Sequence, residues 1–378
     1  MKALVFERSL PRYAAARLAG AVAPGAGSRV GPLRLLDTEE PAVPGEGWQR
    51  VRPLLSGICG SDLATVDGHS SRYFEPIVSF PFTPGHEVVG LLDDDRRVVI
   101  EPVLGCAARG LTPLCSACAA GETGSCQHVA FGHLAPGLQI GYCTDTGGGW
   151  SGALVAHDSQ LHVVPDALSD EAAVMIEPTA CAVHAALAAA GPSSADLSGA
   201  TVVVLGAGTL GLCTLAALRS VALAGTVIVG AKHAEQRDLA RQLGATVVAA
   251  PDEVRRAVRR ATRSLGVGET LTGGADVVID CVGSAESLTE ALAIVRPRGR
   301  VVLVGMPGRV SVDLTPLWHR EVQLTGAYAY GREAGGARTF QLAIDLVAEA
   351  ELGRLVSALY PLERYTEAIE HAASAGRR

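Results

Sequence analysis

Two short glycine-flanked segments carry the residues best suited to chemistry: Cys59-Gly60-Ser61-Asp62 and Gly85-His86-Glu87. A thiolate, an imidazole and carboxylates can together hold one zinc ion and still leave a coordination position open. That is the condition for zinc to act on a substrate rather than brace a fold. On this reading Cys59 is a thiolate ligand and His86 an imidazole ligand, with Asp62 placed to orient His86. Glu87 is either a direct ligand or a partner that swings in and out. Glu177, in Met175-Ile176-Glu177-Pro178, is the candidate third ligand, directly or through water. Its competing reading is a solvated carboxylate at a helix start.

A second cluster differs in kind. Cys115 and Cys118 are two residues apart, Cys126 follows after seven more, and Cys106 lies upstream. Four thiolates close a tetrahedron around zinc and leave no place for substrate, so this set predicts a structural ion. Small buried hydrophobes would not need three thiols in one loop. The remaining cysteines, Cys143, Cys181, Cys213 and Cys281, read as small buried residues, and His69, His128, His133, His157, His162 and His184 as surface or packing histidines.

The third signal is Val202-Val203-Val204-Leu205 running into Gly206-Ala207-Gly208-Thr209-Leu210-Gly211 and an apolar helix. This strand–turn–helix context is what the dinucleotide fingerprint requires. Gly206 permits the tight turn, Gly208 admits the pyrophosphate and Gly211 lets helix and strand pack closely. The first helical turn, from Thr209 and Leu210, presents its amides to the phosphates. An NAD site wants an acid after the next strand. Here Gly230-Ala231-Lys232-His233 follows, with Arg237 one turn on. Small residues make room and cations can pair with a 2′-phosphate, so the sequence favours NADP(H); a merely solvated Lys232 is the bland reading.

These residues need two kinds of scaffold. The first 175 residues are β-rich, with short Val/Ile/Leu runs between Gly, Pro and Asp turns, and Met1–Glu7 contains a first strand. From about residue 181, strands at 201–205, 227–229, 276–280 and 300–305 alternate with helices, the pattern of a doubly wound parallel sheet. A helix over about 337–349 leads to a short tail. Residues 12–36, rich in Ala and Gly, are weakly patterned and read as an excursion that covers a cleft or meets another subunit.

Composition narrows the partners. With 48% hydrophobic and 19% charged residues the chain is a well-buried globular protein of two-domain length. A net charge of -7 without a basic run argues against nucleic acid or an anionic membrane. The apolar segment 201–218 is broken by Gly206, Gly208 and Gly211, which excludes a membrane-spanning reading. The apolar stretch at the N-terminus is too short for a leader. Nine cysteines, several at metal-ligand spacing, fit a reducing cytoplasm rather than a disulfide framework.

Taken in this order, Gly85-His86-Glu87 with Val88-Val89-Gly90, the thiol loop, Glu177-Pro178, the glycine fingerprint and Asp280-Cys281-Val282-Gly283 resemble the zinc-dependent medium-chain dehydrogenases over nearly the whole chain. The Glu177-Pro178 version looks like the sorbitol and threonine dehydrogenase branch. The resemblance implies an α/β fold: a GroES-like β-barrel catalytic domain over 1–180, a Rossmann cofactor domain over 181–327, and a segment, 328–378, completing the catalytic domain. It also implies a homodimer or homotetramer. Three departures stand out. Eight residues separate Cys106 from Cys115, where relatives usually have two. Ala64 occupies the position of the family's relay histidine. A closing strand after the last helix has little sequence left before Gly376-Arg377-Arg378.

The expected function is reversible hydride transfer between NADP(H) and a small-molecule alcohol or ketone held by a catalytic zinc, with a second, structural zinc. Ser61 passes the proton. The substrate pocket is expected around residues 69–82, Trp150 and 328–330. Two alternatives stand beside it: a zinc-independent NADPH reductase of enones or imines on the same scaffold, and a non-catalytic NADPH-binding protein whose zinc serves folding alone.

Overall fold

The computed structural model describes residues 1–191, 197–333 and 335–374. The chain divides into two compact units, Met1–Glu177 with Glu351–Arg378, and Pro178–Ala350.

In chain order the first unit carries β1 (Lys2–Phe6), α1 (Leu10–Val22), α2 (Gly27–Val30), β2 (Leu33–Asp37), β3 (Trp48–Ser56), α3 (Gly60–Val66), β4 (Val88–Leu92), β5 (Arg97–Ile100), α4 (Ser116–Ala120), β6 (Leu154–His157), β7 (Leu161–Val163) and α5 (Asp170–Val174). Five of these strands form an antiparallel sheet in the order β6-β3-β4-β5-β7. Val51, Val88, Leu92, Val98, Ile100 and Leu154 pack into one core beneath it, each contributing about 1.5–3 kcal/mol through its burial. This sheet fixes the two segments that carry the candidate metal ligands. Cys59 follows the end of β3, and Gly85-His86-Glu87 lead into β4, which pairs with β3 in the register Ser56 to Val88.

Residues 12–36 contain more structure than their weak pattern predicts. Ala-rich sequence with Pro11 in the first turn forms the thirteen-residue α1, consistent with the helix propensity of alanine and the fixed φ of an N-terminal proline. The excursion does not hang free. The Asp67 carboxylate at the end of α3 accepts from the Gly25 and Gly27 amides, at 2.8 and 2.9 Å.

After α6 (Ile176–Ala190), the second unit alternates β8 (Thr201–Leu205), α7 (Thr209–Ser220), β9 (Thr226–Gly230), α8 (Ala234–Gln242), β10 (Val247–Ala249), α9 (Val254–Thr262), the small hairpin β11 (Gly266–Val267) and β12 (Thr270–Leu271), β13 (Ala275–Asp280), α10 (Ala285–Ile294), β14 (Val295–Leu303), α11 (Thr315–His319), β15 (Gln323–Gly326) and α12 (Thr339–Glu349). Six of its strands form an all-parallel sheet, in the order β10-β9-β8-β13-β14-β15. Val202, Val203 and Val204 are all fully buried, as expected for a strand covered on both faces. Counted within the unit, the strand order is 3-2-1-4-5-6, the doubly wound nucleotide-binding arrangement whose direction reverses between β8 and β13.

The chain then returns to the first unit, where α13 (Tyr365–Ala373) packs against α2, with Arg29 donating to the Glu370 carboxylate at 2.9 Å. Residues 375–378, where the expected closing strand would begin, lie outside the described residues. Among the described residues no helix is long and apolar enough to cross a membrane.

Candidate active site

Cys59 has extended backbone and caps the start of α3. Its amide donates to Asp62 Oδ2 at 3.0 Å, so the first turn of the helix locks the thiol-bearing residue in place. His86 and Glu87 enter from the other segment, and both are buried. Gly85 has φ +96°, and a Cβ there would lie 2.6 Å from Trp150 Cδ1, so the turn into His86 demands glycine. The Trp150 indole N–H donates to the Gly57 carbonyl at 3.0 Å and the Gly57 amide donates to the Glu87 carbonyl at 2.9 Å, tying both segments together.

The result is convergence. One donor atom from each of Cys59, His86 and Glu87 lies within 4.8 Å of the other two. Among the described residues the cationic neighbour felt by Cys59 and Glu87 is the His86 imidazole, and the electrostatics reflect it. Burial, then the neighbouring Glu177 carboxylate, pushes Glu87 up to about 8. Burial also pushes the Cys59 thiol up. For His86 burial works downward, but the Asp62 carboxylate, Cys59 and Glu177 outweigh it and hold the imidazole well above its ordinary range. Soft sulfur, imidazole nitrogen and carboxylate oxygen in one buried spot is a donor set that fits zinc, whose two charges would reverse each of these penalties.

The other predicted residues divide. Glu177 is buried in the first turn of α6 and its charge is felt by His86 and Glu87, yet it stands outside the tight three-residue group. Asp62 lies 3.7 Å from His86 Nδ1, close enough for charge attraction and too far for a hydrogen bond. His86 Nδ1 has no hydrogen-bond partner among the described residues, so Asp62 acts on the ring through its charge. Asp62 also caps α3 and accepts from the Tyr142 hydroxyl at 3.3 Å. Nothing in the motif spacing pointed to Tyr142, which sits in a glycine-rich loop far along the chain.

All four loop thiols, Cys106 included, lie within 4.8 Å of one another. Cys115 caps α4, and backbone amides face the sulfurs: Cys115 N–H to Cys106 at 3.4 Å, Cys118 N–H to Cys115 at 3.4 Å and His128 N–H to Cys126 at 3.4 Å. Such N–H groups stabilise thiolates around a cation. His128 is more than a packing residue, since its Nδ1 lies 3.3 Å from Cys106 Sγ. The eight-residue spacing closes because Arg109, fully buried, donates to the carbonyls of Leu104 at 3.0 Å, Phe131 at 2.9 Å and Gly137 at 2.6 Å. One side chain thereby gathers the inserted segment and the chain following the last cysteine.

In the second unit Gly206 has φ +93°, and a Cβ on Gly211 would lie 1.9 Å from the Gly206 carbonyl oxygen. A Cβ on Gly208, by contrast, would meet nothing within 4 Å; this is open space of the kind a pyrophosphate takes above the start of α7. Beyond β9, Ala231 is buried, Lys232 is exposed and His233 caps α8. Arg237 donates to the carbonyls of Ala231 at 3.4 Å and Lys232 at 2.9 Å.

Comparison with known proteins agrees with this geometry. Residues 45–166 match the alcohol dehydrogenase GroES-like domain family and residues 209–349 the zinc-binding dehydrogenase family. A sorbitol dehydrogenase of Arabidopsis thaliana is 30% identical over 74% of this chain and 73% of its own length. A sorbitol dehydrogenase of Bacillus subtilis (strain 168) is 28% identical over 85% of each. Among solved structures, a Sinorhizobium meliloti 1021 chain described as a zinc-binding dehydrogenase and solved with NADP superposes with a TM-score of 0.69, at 26% identity over 91% of this chain and 93% of that one. The class defined by fold and site is thus an α/β oxidoreductase with a GroES-like and a Rossmann-type domain. Within it, the chain belongs to the zinc-dependent medium-chain dehydrogenase superfamily.

Proposed function

We propose that the protein is a zinc-dependent dehydrogenase that moves hydride between NADP(H) and a small alcohol or polyol and its carbonyl product. The observation that carries the reading is the convergence, within 4.8 Å, of donor atoms from half-buried Cys59 and buried His86 and Glu87. Cys59 and His86 would hold a catalytic zinc, with Glu87 or Glu177 completing its protein ligands, while Cys106, Cys115, Cys118 and Cys126 would hold a structural one. When bound, the catalytic ion supplies Lewis acidity to the substrate oxygen and the nicotinamide supplies or accepts the hydride. The chain's own contribution is to place Ser61 beside the reacting oxygen, to keep the ligand side chains fixed through the α3 cap and the Gly57–Glu87 link, and to bury them from water.

NADP(H) rather than NAD(H) is supported by the absence of any acid from Gly230 to His233 and by Lys232, His233 and Arg237 at the end of β9. The polyol direction is supported by the likeness to sorbitol dehydrogenases.

The test is metal counting joined to kinetics. The wild-type protein should carry two zinc ions per chain and oxidise members of a polyol panel with NADP+. Cys59→Ser and His86→Ala should each lose one zinc and at least about 10³-fold of activity while NADPH binding stays close to wild type. Full activity in either variant would overturn the mechanism.

A further inference from the structure

The four loop sulfurs share a regular set of main-chain donors. Cys115 N–H meets Cys106 Sγ at 3.4 Å, and Cys118 N–H meets Cys115 Sγ at 3.4 Å. Cys106 N–H meets Cys118 Sγ at 3.5 Å, and His128 N–H meets Cys126 Sγ at 3.4 Å. Each sulfur thus has an amide. Cys106 has a second donor, from a side chain: His128 Nδ1 lies 3.3 Å from its sulfur. Cys106 is also the thiol that the loop itself does not supply. Cys115, Cys118 and Cys126 share one stretch, whereas eight residues separate Cys106 from Cys115.

We propose that His128 donates its Nδ1–H to the Cys106 thiolate and is the side chain that keeps Cys106 on the structural ion. The inference rests on the reading of the four thiols as a zinc site and adds to it a positioning residue that is not a ligand. The nitrogen has no place on the ion itself, because four sulfurs fill a tetrahedron. Cys106 Sγ lies 3.7 Å from Cys126 Sγ, close to the tetrahedral edge of about 3.8 Å that zinc–sulfur bonds of about 2.3 Å give. The nitrogen faces the sulfur instead. A thiolate accepts and cannot donate, so the nitrogen turned toward it carries the ring proton. Four thiolates around a dication leave about two negative charges in one cluster, and Cys106 is fully buried. Each N–H aimed at a sulfur draws charge from it, which makes that sulfur a weaker target for protons and electrophiles and a slower ligand to leave.

The fold aims the ring. The amide on Cys126 fixes the main chain of His128, so one residue reaches two of the four sulfurs. The Phe131 amide donates to the His128 carbonyl at 3.0 Å. The Phe131 ring meets the imidazole edge-on, with centroids 6.3 Å apart and planes at 89°. The Phe131 carbonyl accepts from Arg109 at 2.9 Å. The arginine that gathers the inserted segment therefore also holds the turn from which His128 points back to Cys106.

The experiment uses the full chain loaded with ¹¹³Cd at the four-thiol site, and the zinc-loaded chain beside it. A ¹H–¹¹³Cd correlation spectrum should show the His128 ring N–H coupled to the metal through Cys106, together with the main-chain amides that face the sulfurs. That spectrum needs no variant and decides on its own. His128→Phe keeps a ring against Phe131 and removes the donor, so the ring signal should vanish while the main-chain amide signal of residue 128 stays. His128→Asn, whose side-chain nitrogen falls near the place of Nδ1, should restore a side-chain coupling. In the zinc-loaded chain, His128→Phe should speed zinc release to a chelator by roughly 10–100-fold. It should also make Cys106 the first of the four loop cysteines to be alkylated by iodoacetamide, read by peptide mapping, and His128→Asn should return most of the protection. Main-chain couplings without a ring coupling in the wild-type chain, or wild-type release and labelling in folded His128→Phe, would overturn the role of His128. A wild-type chain in which the metal couples to none of the loop amides would overturn the structural-zinc reading itself.

Discussion

Gly57 has no side chain where the Glu87 carboxylate lies: a Cβ at that position would fall 1.8 Å from Glu87 Oε2 and 3.0 Å from Glu87 Cβ. The end of β3 is therefore shaped around the carboxylate that joins Cys59 and His86. Gly57→Ala should displace Glu87 rather than unfold the protein, because the carboxylate is the movable end of a flexible side chain. We expect zinc at this site to bind about 10–100-fold more weakly, with the four-thiol site unaffected. Metal titration against a chelator, alongside a Tm held within a few degrees, checks this.

Zinc uptake should expel protons. Burial and Glu177 raise Glu87 from its ordinary 4.5 to about 8, burial raises Cys59, and His86 stands well above its ordinary range. At pH 7 the metal-free set is therefore largely protonated, and binding by all three should release about three protons, one from each ligand. Calorimetry in buffers of different ionisation enthalpy measures that number. The sign for stability follows from Glu87. Its folded value lies above its unfolded one, so its contribution is present below pH 4.5 and is lost as the pH climbs to about 8. Metal-free protein should become less stable across that window, and saturating zinc should remove most of the trend.

Arg109 is the residue that lets eight residues stand between Cys106 and Cys115. Arg109→Met keeps the bulk and removes the donors, leaving several carbonyls without partners at a cost of roughly 3 kcal/mol. The expected outcome is a faster loss of structural zinc to a colorimetric chelator and a lower Tm, although Arg109 is not a ligand. Unchanged zinc release would show that the thiols hold their own geometry.

Lys232 should separate the two nucleotides. Lys232→Ala is expected to raise KM for NADP(H) about tenfold, as loss of one charge-assisted contact would, and to leave KM for NAD(H) nearly unchanged. Arg237 is held by the Ala231 and Lys232 carbonyls. Arg237→Ala should therefore weaken both cofactors, through the loop as well as the charge.

Several features were legible before any coordinates. The fingerprint lies on β8 and α7 because glycine spacing and a valine run encode a turn between a buried strand and a helix. The four thiols meet because three of them share one loop. The helix α1 was not legible in the same way, because its apolar residues do not form a single buried stripe: Leu10, Leu18 and Val22 are all exposed.

The sequence by itself determined the donor chemistry and the class of fold, since residue type, local spacing and hydrophobic period are properties of contiguous chain. Tertiary structure decided which partners those residues acquire. The separation of Asp62 from His86, the room that Gly57 leaves for Glu87, the reach of Arg109 and the contact of Tyr142 with Asp62 all join segments distant in sequence. Such contacts depend on sheet register and loop closure to within an ångström, and no local pattern encodes them. The chain announced its candidate metal ligands by type and spacing; the convergence of Cys59 with His86 and Glu87 exists only once β3 and β4 have paired.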